Sequence, residues 1–288
     1  MQGTVDGFSY GLVTPVVAFL MACLGSALGL RCTIRSLCVA QSWRAGWLAL
    51  GSAAIGSGVW TMHFVAMMGF TVKETPIHYD RTITFASLAV AIVMVGVGVF
   101  IVGYRGATGV ALFTGGTVTG LGIASMHYLG MAGMRLNGVL GYNTLTVAVS
   151  VVIAVVASTA ALWAAGQVRG FLWSVGASIV MGLAVSGMHY TSMAALTVHL
   201  HSSSGAPDGE SPAALLAPLL IGPLVFLCLA GAVVLFDPLM VRGRPARPPA
   251  ERKPGVPAHP ELARTGRRPQ PRVRRQPERR PSRTAQRR

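Results

Sequence analysis

Charge is scarce in this chain of 288 residues: 11% are Asp, Glu, Lys or Arg, whereas 52% are hydrophobic and the mean hydropathy is +0.56. In soluble domains about a quarter of the residues are charged, so this composition excludes an ordinary soluble protein. The four cysteines form no Cys-x-x-Cys pair and no Cys-x-x-Cys-His sequence, which argues against structural disulfides and c-type haem. No basic residue precedes the first apolar run, so a cleaved signal peptide is not expected.

Seven runs of about 20 residues, nearly free of charge, predict transmembrane helices. The predicted fold class is therefore an all-α integral membrane protein, and the lipid bilayer is its expected partner. The predicted spans are 11–30, 46–70, 83–103, 109–133, 145–166, 171–197 and 213–236.

Basic residues predict the orientation, because short cytoplasmic loops are enriched in Lys and Arg. The links after spans one, three and five contain arginine and no acidic residue. These arginines are Arg31, Arg35, Arg44, Arg105 and Arg169. The sequence thus predicts a multi-pass protein of the inner (plasma) membrane, with residues 1–10 outside and the C-terminus in the cytoplasm.

A Met-His-aromatic triplet, with a second Met four residues after the His, occurs three times. The histidines are separated by 64 and 62 residues, and a fixed period indicates a copied structural unit. The motif residues are candidate metal ligands. They are Met62, His63, Met67, Met126, His127, Met131, Met188, His189 and Met193.

Three tandem two-helix repeats, at about 11–70, 83–133 and 145–197, therefore precede a seventh helix at 213–236. Every repeat enters the membrane in the same direction, so a pseudosymmetry axis along the membrane normal is expected. Small residues share the face of each His: Gly56, Gly120 and Gly182, then Ser52, Gly116 and Ser178. We expect these columns to pack the three motif helices against one another.

Histidine at membrane depth requires a partner, and no Asp or Glu lies inside a predicted span. Imidazole and thioether together form a ligand set suited to copper. For a single motif, core packing of Met and aromatic residues is the preferred explanation; three motifs in register favour a shared ligand. His78, His199 and His201 lie on the same side, where they either take up a metal or are merely solvated.

The tetrapeptide Met188-His189-Tyr190-Thr191, with its variants at 62–65 and 126–129, resembles the MHYT domain over residues 8 to 236. That domain is a bacterial integral-membrane sensory module. The resemblance implies seven spans, motifs near the outer surface, copper held by the Met and His residues, and sensing of oxygen, carbon monoxide or nitric oxide. The departures, Phe64, Val65 and Leu129, spare every candidate ligand.

Residues 237–288 change character: from position 238 onwards the chain has 16 Lys and Arg, three Glu and many prolines. This composition predicts a disordered cytoplasmic tail that contacts anionic lipid. Without interleaved aromatic residues it is not expected to bind nucleic acid. Since no output domain is expected in this segment, the sequence predicts a stand-alone sensor, not an enzyme, that signals through a separate cytoplasmic protein.

Two alternatives belong to other classes. A copper transport or handling protein would use the His-Met site as a transit station, although carboxylates for ion coupling are missing from the predicted spans. A b-type haem protein would use two of the histidines as axial ligands, although three equivalent motifs suit a three-fold site better.

Overall fold

The computed structural model describes residues 2–167, 171–200 and 209–237. The predictions made for Arg169, for His201 and for residues 238–288 lie outside these ranges. Helix dominates the described chain. The helices are α1 (Val13–Ser36), α2 (Gln41–Met68), α3 (Arg81–Arg105), α4 (Gly109–Ala132), α5 (Thr144–Gln167), α6 (Phe171–Ala194) and α7 (Pro212–Leu235).

Six of these helices, α1 to α5 and α7, are long and apolar enough to cross a membrane, counted over the described residues. Large apolar side chains also lie on the outside of the bundle: Val110, Leu145 and Leu235 are 72%, 75% and 71% exposed. Such a surface is unfavourable in water and favourable in lipid. The chain is a membrane protein.

The helices match the predicted spans closely except at the α1–α2 link. α1 continues to Ser36 and α2 begins at Gln41, so Arg31 and Arg35 belong to α1 and Arg44 to α2. Hydropathy marks only the apolar part of a helix. Arginine is a good helix former and its long side chain reaches towards water from within a helix end, so the helix outlasts the apolar run.

The first six helices form a closed ring. Each packs on the next along the chain, and α6 packs on α1, while α7 lies outside the ring against α1 and α2. α2, α4 and α6 carry the three His-Met motifs. We call the end of the bundle where these three helices finish the histidine end, and the opposite end the arginine end.

One backbone hydrogen bond recurs in each helix pair at the histidine end. The amides of Ser9, Asp80 and Asn143, which precede α1, α3 and α5, donate to the carbonyls of Gly69, Gly133 and Ala195 at 3.1, 2.8 and 2.9 Å. Each acceptor lies six residues after a motif His. The bonds therefore relate the pairs α1–α2, α3–α4 and α5–α6 by a pseudo-three-fold axis.

Short antiparallel strands, which the sequence patterns did not predict, cover the histidine end. β1 (Val5–Asp6) pairs with β2 (Thr71–Val72), β3 (His78–Tyr79) with β4 (Met134–Arg135), and β5 (Gly138–Tyr142) with β6 (Leu196–Leu200). Single bridges join Gln2 to His199 and Tyr79 to Glu210. Strand pairing thus joins the N-terminal segment and the three loops at this end into one cap.

The expectation that the small-residue columns pack the motif helices together is wrong for their glycines. A Cβ atom added to each of these glycines would contact a helix that carries no motif. The contact is with Ile92 of α3 for Gly56, at 2.9 Å, with Val155 of α5 for Gly120, at 2.5 Å, and with Cys23 of α1 for Gly182, at 2.4 Å. Periodicity places a residue on the same face as the His, but packed helices cross at an angle. Two turns below the His, that face meets the neighbouring helix of the ring.

α1 and α2 approach each other closely at Gly25 and Gly58. A Cβ on Gly58 would lie 2.6 Å from the Cα of Gly25, a backbone atom that cannot rotate away. We expect Gly58→Ala to separate the helices and lower the melting temperature of the protein in detergent. The matched control is Gly176→Ala in α6, where a Cβ meets nothing within 4 Å; a melting temperature that falls equally in both variants would contradict the close-packing argument.

Candidate metal centre

Three histidine nitrogens meet on the axis of the ring. Nδ1 of His63 lies 3.1 Å from Nδ1 of His127 and 3.2 Å from Nδ1 of His189, and the third side of the triangle is 3.3 Å. All three residues are buried, at 1%, 1% and 2% exposure. They form the one group of three or more His, Cys, Asp or Glu residues within metal-binding reach in the described part of the chain.

The rings are held nearly perpendicular to one another, with interplanar angles of 77°, 75° and 84°. Each also meets the aromatic residue that follows it edge-on: Phe64, Tyr128 and Tyr190 at 4.6, 5.0 and 5.0 Å. Each repeat thus contributes the same pair of rings to the centre.

No assignment of protons satisfies this triangle. A nitrogen of neutral imidazole is either a donor or an acceptor, so among three mutually adjacent nitrogens at least two have the same role. Two lone pairs, or two N–H groups, then face each other at 3.1 to 3.3 Å in a dry interior, where uncompensated polar groups are costly. A cation at the centre removes the conflict, because all three nitrogens then act as acceptors towards it.

The triangle also has the size that a metal ion requires. With sides of 3.1, 3.2 and 3.3 Å, its centre lies about 1.8 Å from each nitrogen. A point about 0.8 Å out of the plane is then about 2.0 Å from all three, which is the usual distance from a first-row metal to imidazole nitrogen. The residues present therefore fit a three-nitrogen metal site.

The six motif methionines lie in the same three helices as the histidines, and their role as ligands stays a prediction. Met62, Met67, Met126, Met131 and Met188 are at most 1% exposed, whereas Met193 is partly buried. The thioether sulfur of Met188 accepts a hydrogen bond from Ser192 at 3.5 Å.

The structure does not bring the loop histidines to the centre. His78 lies in β3 and His199 in β6, both in the cap, and neither joins the described three-histidine group. His201 lies outside the described residues. A role of His78 and His199 in metal uptake remains a prediction.

Phe64 and Trp60 hold His63 from the side of α3. The indole of Trp60 donates to Ser87 Oγ at 3.0 Å, and its ring lies 4.7 Å from that of Phe64. On the other side a Cβ at Gly130 would lie 2.6 Å from Nε2 of His63, so only glycine leaves room for this imidazole. The sequence analysis missed Gly130, although its position three residues after His127 places it on the motif face.

A hydroxyl network ties the second and third motifs together. The hydroxyl groups of Tyr128 and Ser150 lie 2.8 Å apart, and Tyr128 also donates to Ser192 Oγ at 3.2 Å, which joins α4, α5 and α6. The other two repeats lack it: position 64 is Phe, and the buried hydroxyl of Tyr190 has no hydrogen-bond partner among the described residues.

The two tyrosines therefore make a matched pair. Tyr128→Phe breaks two hydrogen bonds of buried serines, and we expect the free energy of unfolding to fall by about 1 kcal/mol. Tyr190→Phe removes a hydroxyl without a partner and should leave stability unchanged or raise it. Denaturant unfolding in detergent measures both. Equal losses in the two variants would show that the network contributes nothing beyond packing.

The tyrosines of the cap remain neutral at physiological pH. Burial raises the pKa of Tyr79, and burial together with the neighbouring Tyr128 raises the pKa of Tyr142 to about 12. Tyr79 packs against Phe64 at 6.2 Å and Tyr142 against Tyr128 at 5.9 Å. The cap thus presents neutral phenols, not phenolates, above the three histidines.

The family model described as MHYT, bacterial signalling protein N terminal repeat, matches residues 56–115 and 120–178. The chain belongs to the MHYT family. The two matched MHYT repeats begin 64 residues apart, which is the separation of His63 and His127. This finding confirms the resemblance drawn from the three motifs.

Curated MHYT relatives are signalling proteins. The chain is 37% identical over 203 residues to the bifunctional diguanylate cyclase/cyclic di-GMP phosphodiesterase MucR of Pseudomonas aeruginosa, covering 69% of this chain and 30% of that protein. It is 33% identical over 211 residues to the cyclic di-GMP phosphodiesterase NbdA of the same organism, covering 68% and 26%. It is 32% identical over 210 residues to the signaling protein YkoW of Bacillus subtilis, covering 70% and 26%.

The chain thus spans about a quarter to a third of the length of these relatives. No solved structure matches it.

Proposed function

We propose that this chain is a seven-span sensory module of the inner (plasma) membrane, in which His63, His127 and His189 hold one metal ion. The observation that supports it is the buried Nδ1 triangle with sides of 3.1 to 3.3 Å. Three neutral imidazoles placed in this way leave at least two nitrogens with facing lone pairs or facing N–H groups unless a cation lies between them. The matching MHYT signalling proteins support the sensory role.

Copper is the metal that the donor set favours. Imidazole nitrogen alone suits zinc and copper equally, but five buried thioethers line the same repeats, and thioethers favour Cu(I) over zinc. When bound, copper would supply a centre that changes its oxidation state and accepts small ligands such as oxygen, carbon monoxide or nitric oxide. The three rings orient and shield it, and the strand cap keeps bulk water away.

The output of the module is proposed to be cyclic di-GMP signalling. MucR and NbdA are named for cyclic di-GMP enzymes, yet they match this chain over only 30% and 26% of their lengths. We therefore assign no catalysis to residues 1–237, and propose that a change at the three histidines reaches a separate cytoplasmic protein through α7 or the residues after it. α7 packs on α2, the helix that carries His63.

The two alternatives are less well supported by the geometry. A haem ring has no room to pass between nitrogens 3.1 to 3.3 Å apart. Transport requires an ion that leaves readily, whereas all three histidines are at most 2% exposed beneath the cap.

The proposed orientation places the histidine end outside. A topology reporter fused after Gly106, which follows α3, should report a cytoplasmic location. A reporter fused after Lys73, between α2 and α3, should report an external location. The reverse pattern would overturn the orientation.

The metal is tested by elemental analysis and an optical spectrum of the full chain purified from native membranes. We expect about one copper per chain and no Soret band. A variant with all three histidines changed to Ala is the control for adventitious copper. Stoichiometric zinc would replace copper in the proposal, a Soret band would indicate haem, and the absence of any metal above the control would overturn the metal site.

A further inference from the structure

A second feature lies on the axis of the ring, on the arginine side of the three histidines. It is a cavity of about 20 Å³ to which all six ring helices contribute. Its lining includes Leu30, Ile55, Val99, Thr119, Leu162 and Met181, one from each ring helix.

The position of these residues follows the pseudo-three-fold repeat. Ile55, Thr119 and Met181 each lie eight residues before a motif His, which places the cavity about 12 Å from the histidine layer. Val99 and Leu162 each lie 19 residues after the corresponding cap residues, Asp80 and Asn143. Equivalent positions therefore contribute from all three motif helices, and also from α3 and α5.

The lining of the cavity is mainly apolar. Seven of its ten lining side chains are aliphatic or thioether groups, and the other three, Thr33, Thr119 and Ser158, carry hydroxyls. The hydroxyl of Thr33 is turned back onto its own helix, where it donates to the carbonyl of Gly29 at 2.9 Å. A buried water needs two to four polar partners, and the surface that faces the cavity is almost entirely apolar, so water is a poor occupant.

The size selects the ligand. A volume of about 20 Å³ exceeds the roughly 10 to 15 Å³ that one water-sized molecule requires. A cavity of this volume admits one or two heavy atoms and nothing larger. Apolar molecules of this size also dissolve better in the hydrocarbon around the helices than in water.

We infer that this cavity is a binding site for a single small apolar molecule of diatomic size, distinct from the metal centre. For its biological role, as a store of ligand beside the sensor centre, the inference rests on the proposed function. The binding itself does not, because the cavity lies about two turns from the histidines and contains none of them.

Xenon is the probe, because it is apolar and of suitable size. We expect xenon-pressurised crystals of the full chain to show one xenon atom between Ile55, Thr119 and Met181, and ¹²⁹Xe NMR to show saturable binding. Ala161→Leu, which fills the cavity from its wall, should abolish that binding. Thr119→Val should retain it, because the site does not depend on the hydroxyl.

A second pair of variants guards against misfolding of the filled protein. Val99→Ala enlarges the cavity and should raise xenon affinity several-fold, whereas Val95→Ala, one turn away on α3 and equally buried but not in the cavity wall, should not change it. Ordered water in place of xenon, or equal responses of the two valine variants, would overturn the site.

One further measurement tests the cavity and the metal site independently of each other. In the variant with His63, His127 and His189 changed to Ala, xenon binding should persist while copper is lost. Copper present in the wild-type protein without a xenon site would contradict this inference alone, and a xenon site without any metal would contradict only the metal proposal.

Discussion

His127→Ala is expected to remove copper from the protein as completely as replacement of all three histidines. The three nitrogens form one triangle with sides of 3.1 to 3.3 Å, so each substitution takes one ligand from the same ion. Affinity should fall by more than the 10- to 100-fold typical of losing a second-shell partner. Residues that act as one unit give non-additive losses, and copper stoichiometry with competition titration measures them.

Two sets of variants serve as controls for this result. His78→Ala and His199→Ala change histidines of the cap and should leave the equilibrium copper content intact, at most slowing its uptake. Replacing Met67, Met131 or Met193 by Leu preserves volume, so packing should cost less than about 1.5 kcal/mol, while Cu(I) weakens more than Cu(II) if the thioether is a ligand. Unchanged copper in His127→Ala, or losses that simply add across the three histidines, would exclude a shared centre.

Asp237→Asn is expected to lower the free energy of unfolding by about 3 to 5 kcal/mol, the usual effect of breaking a buried ion pair. Its carboxylate lies 2.7 Å from Nε of Arg35, and the two side chains are only 7% and 12% exposed. The guanidinium also lies over the ring of Trp47 at 5.4 Å. The pair joins the end of α1 to the second residue after α7, and its loss leaves a buried cation.

The double variant Arg35→Met with Asp237→Leu distinguishes charge from packing. Removing both charges of a buried pair is often neutral or stabilising, so this protein should be more stable than Asp237→Asn in detergent unfolding experiments. Copper content should be unchanged in both variants because the pair lies at the arginine end. A double variant less stable than the single one would show that the pair contributes through shape.

Arg35 and Asp237 also show where sequence reasoning ended. Asp237 was interpreted as the first residue of a disordered tail, because composition changes at that point. A single acid directly after an apolar helix, opposite an arginine at the end of another, was the available signal for their pairing. Hydropathy scores each segment separately, so it cannot register a contact between positions 202 residues apart.

The helices were predictable because six of the seven described are apolar runs of membrane length. The strands of the cap were not, since most are two residues long and carry no period. The repeat identified the three histidines. Which ring nitrogen points to the centre depends on the rotation of each side chain, which the sequence does not give. The glycine contacts failed for a related reason: a periodic column gives the face of a helix and not the neighbour that this face meets.

Closure of the ring by α6 against α1 also fixes an order of events during synthesis. His63 and His189 are 126 residues apart, and at 5 to 20 residues per second a ribosome needs roughly 6 to 25 seconds to make the chain between them. Throughout that interval the bundle has no three-nitrogen set. The early helices must therefore hold together by their own packing, and the proposed metal finds its full set of ligands only after His189 has been made.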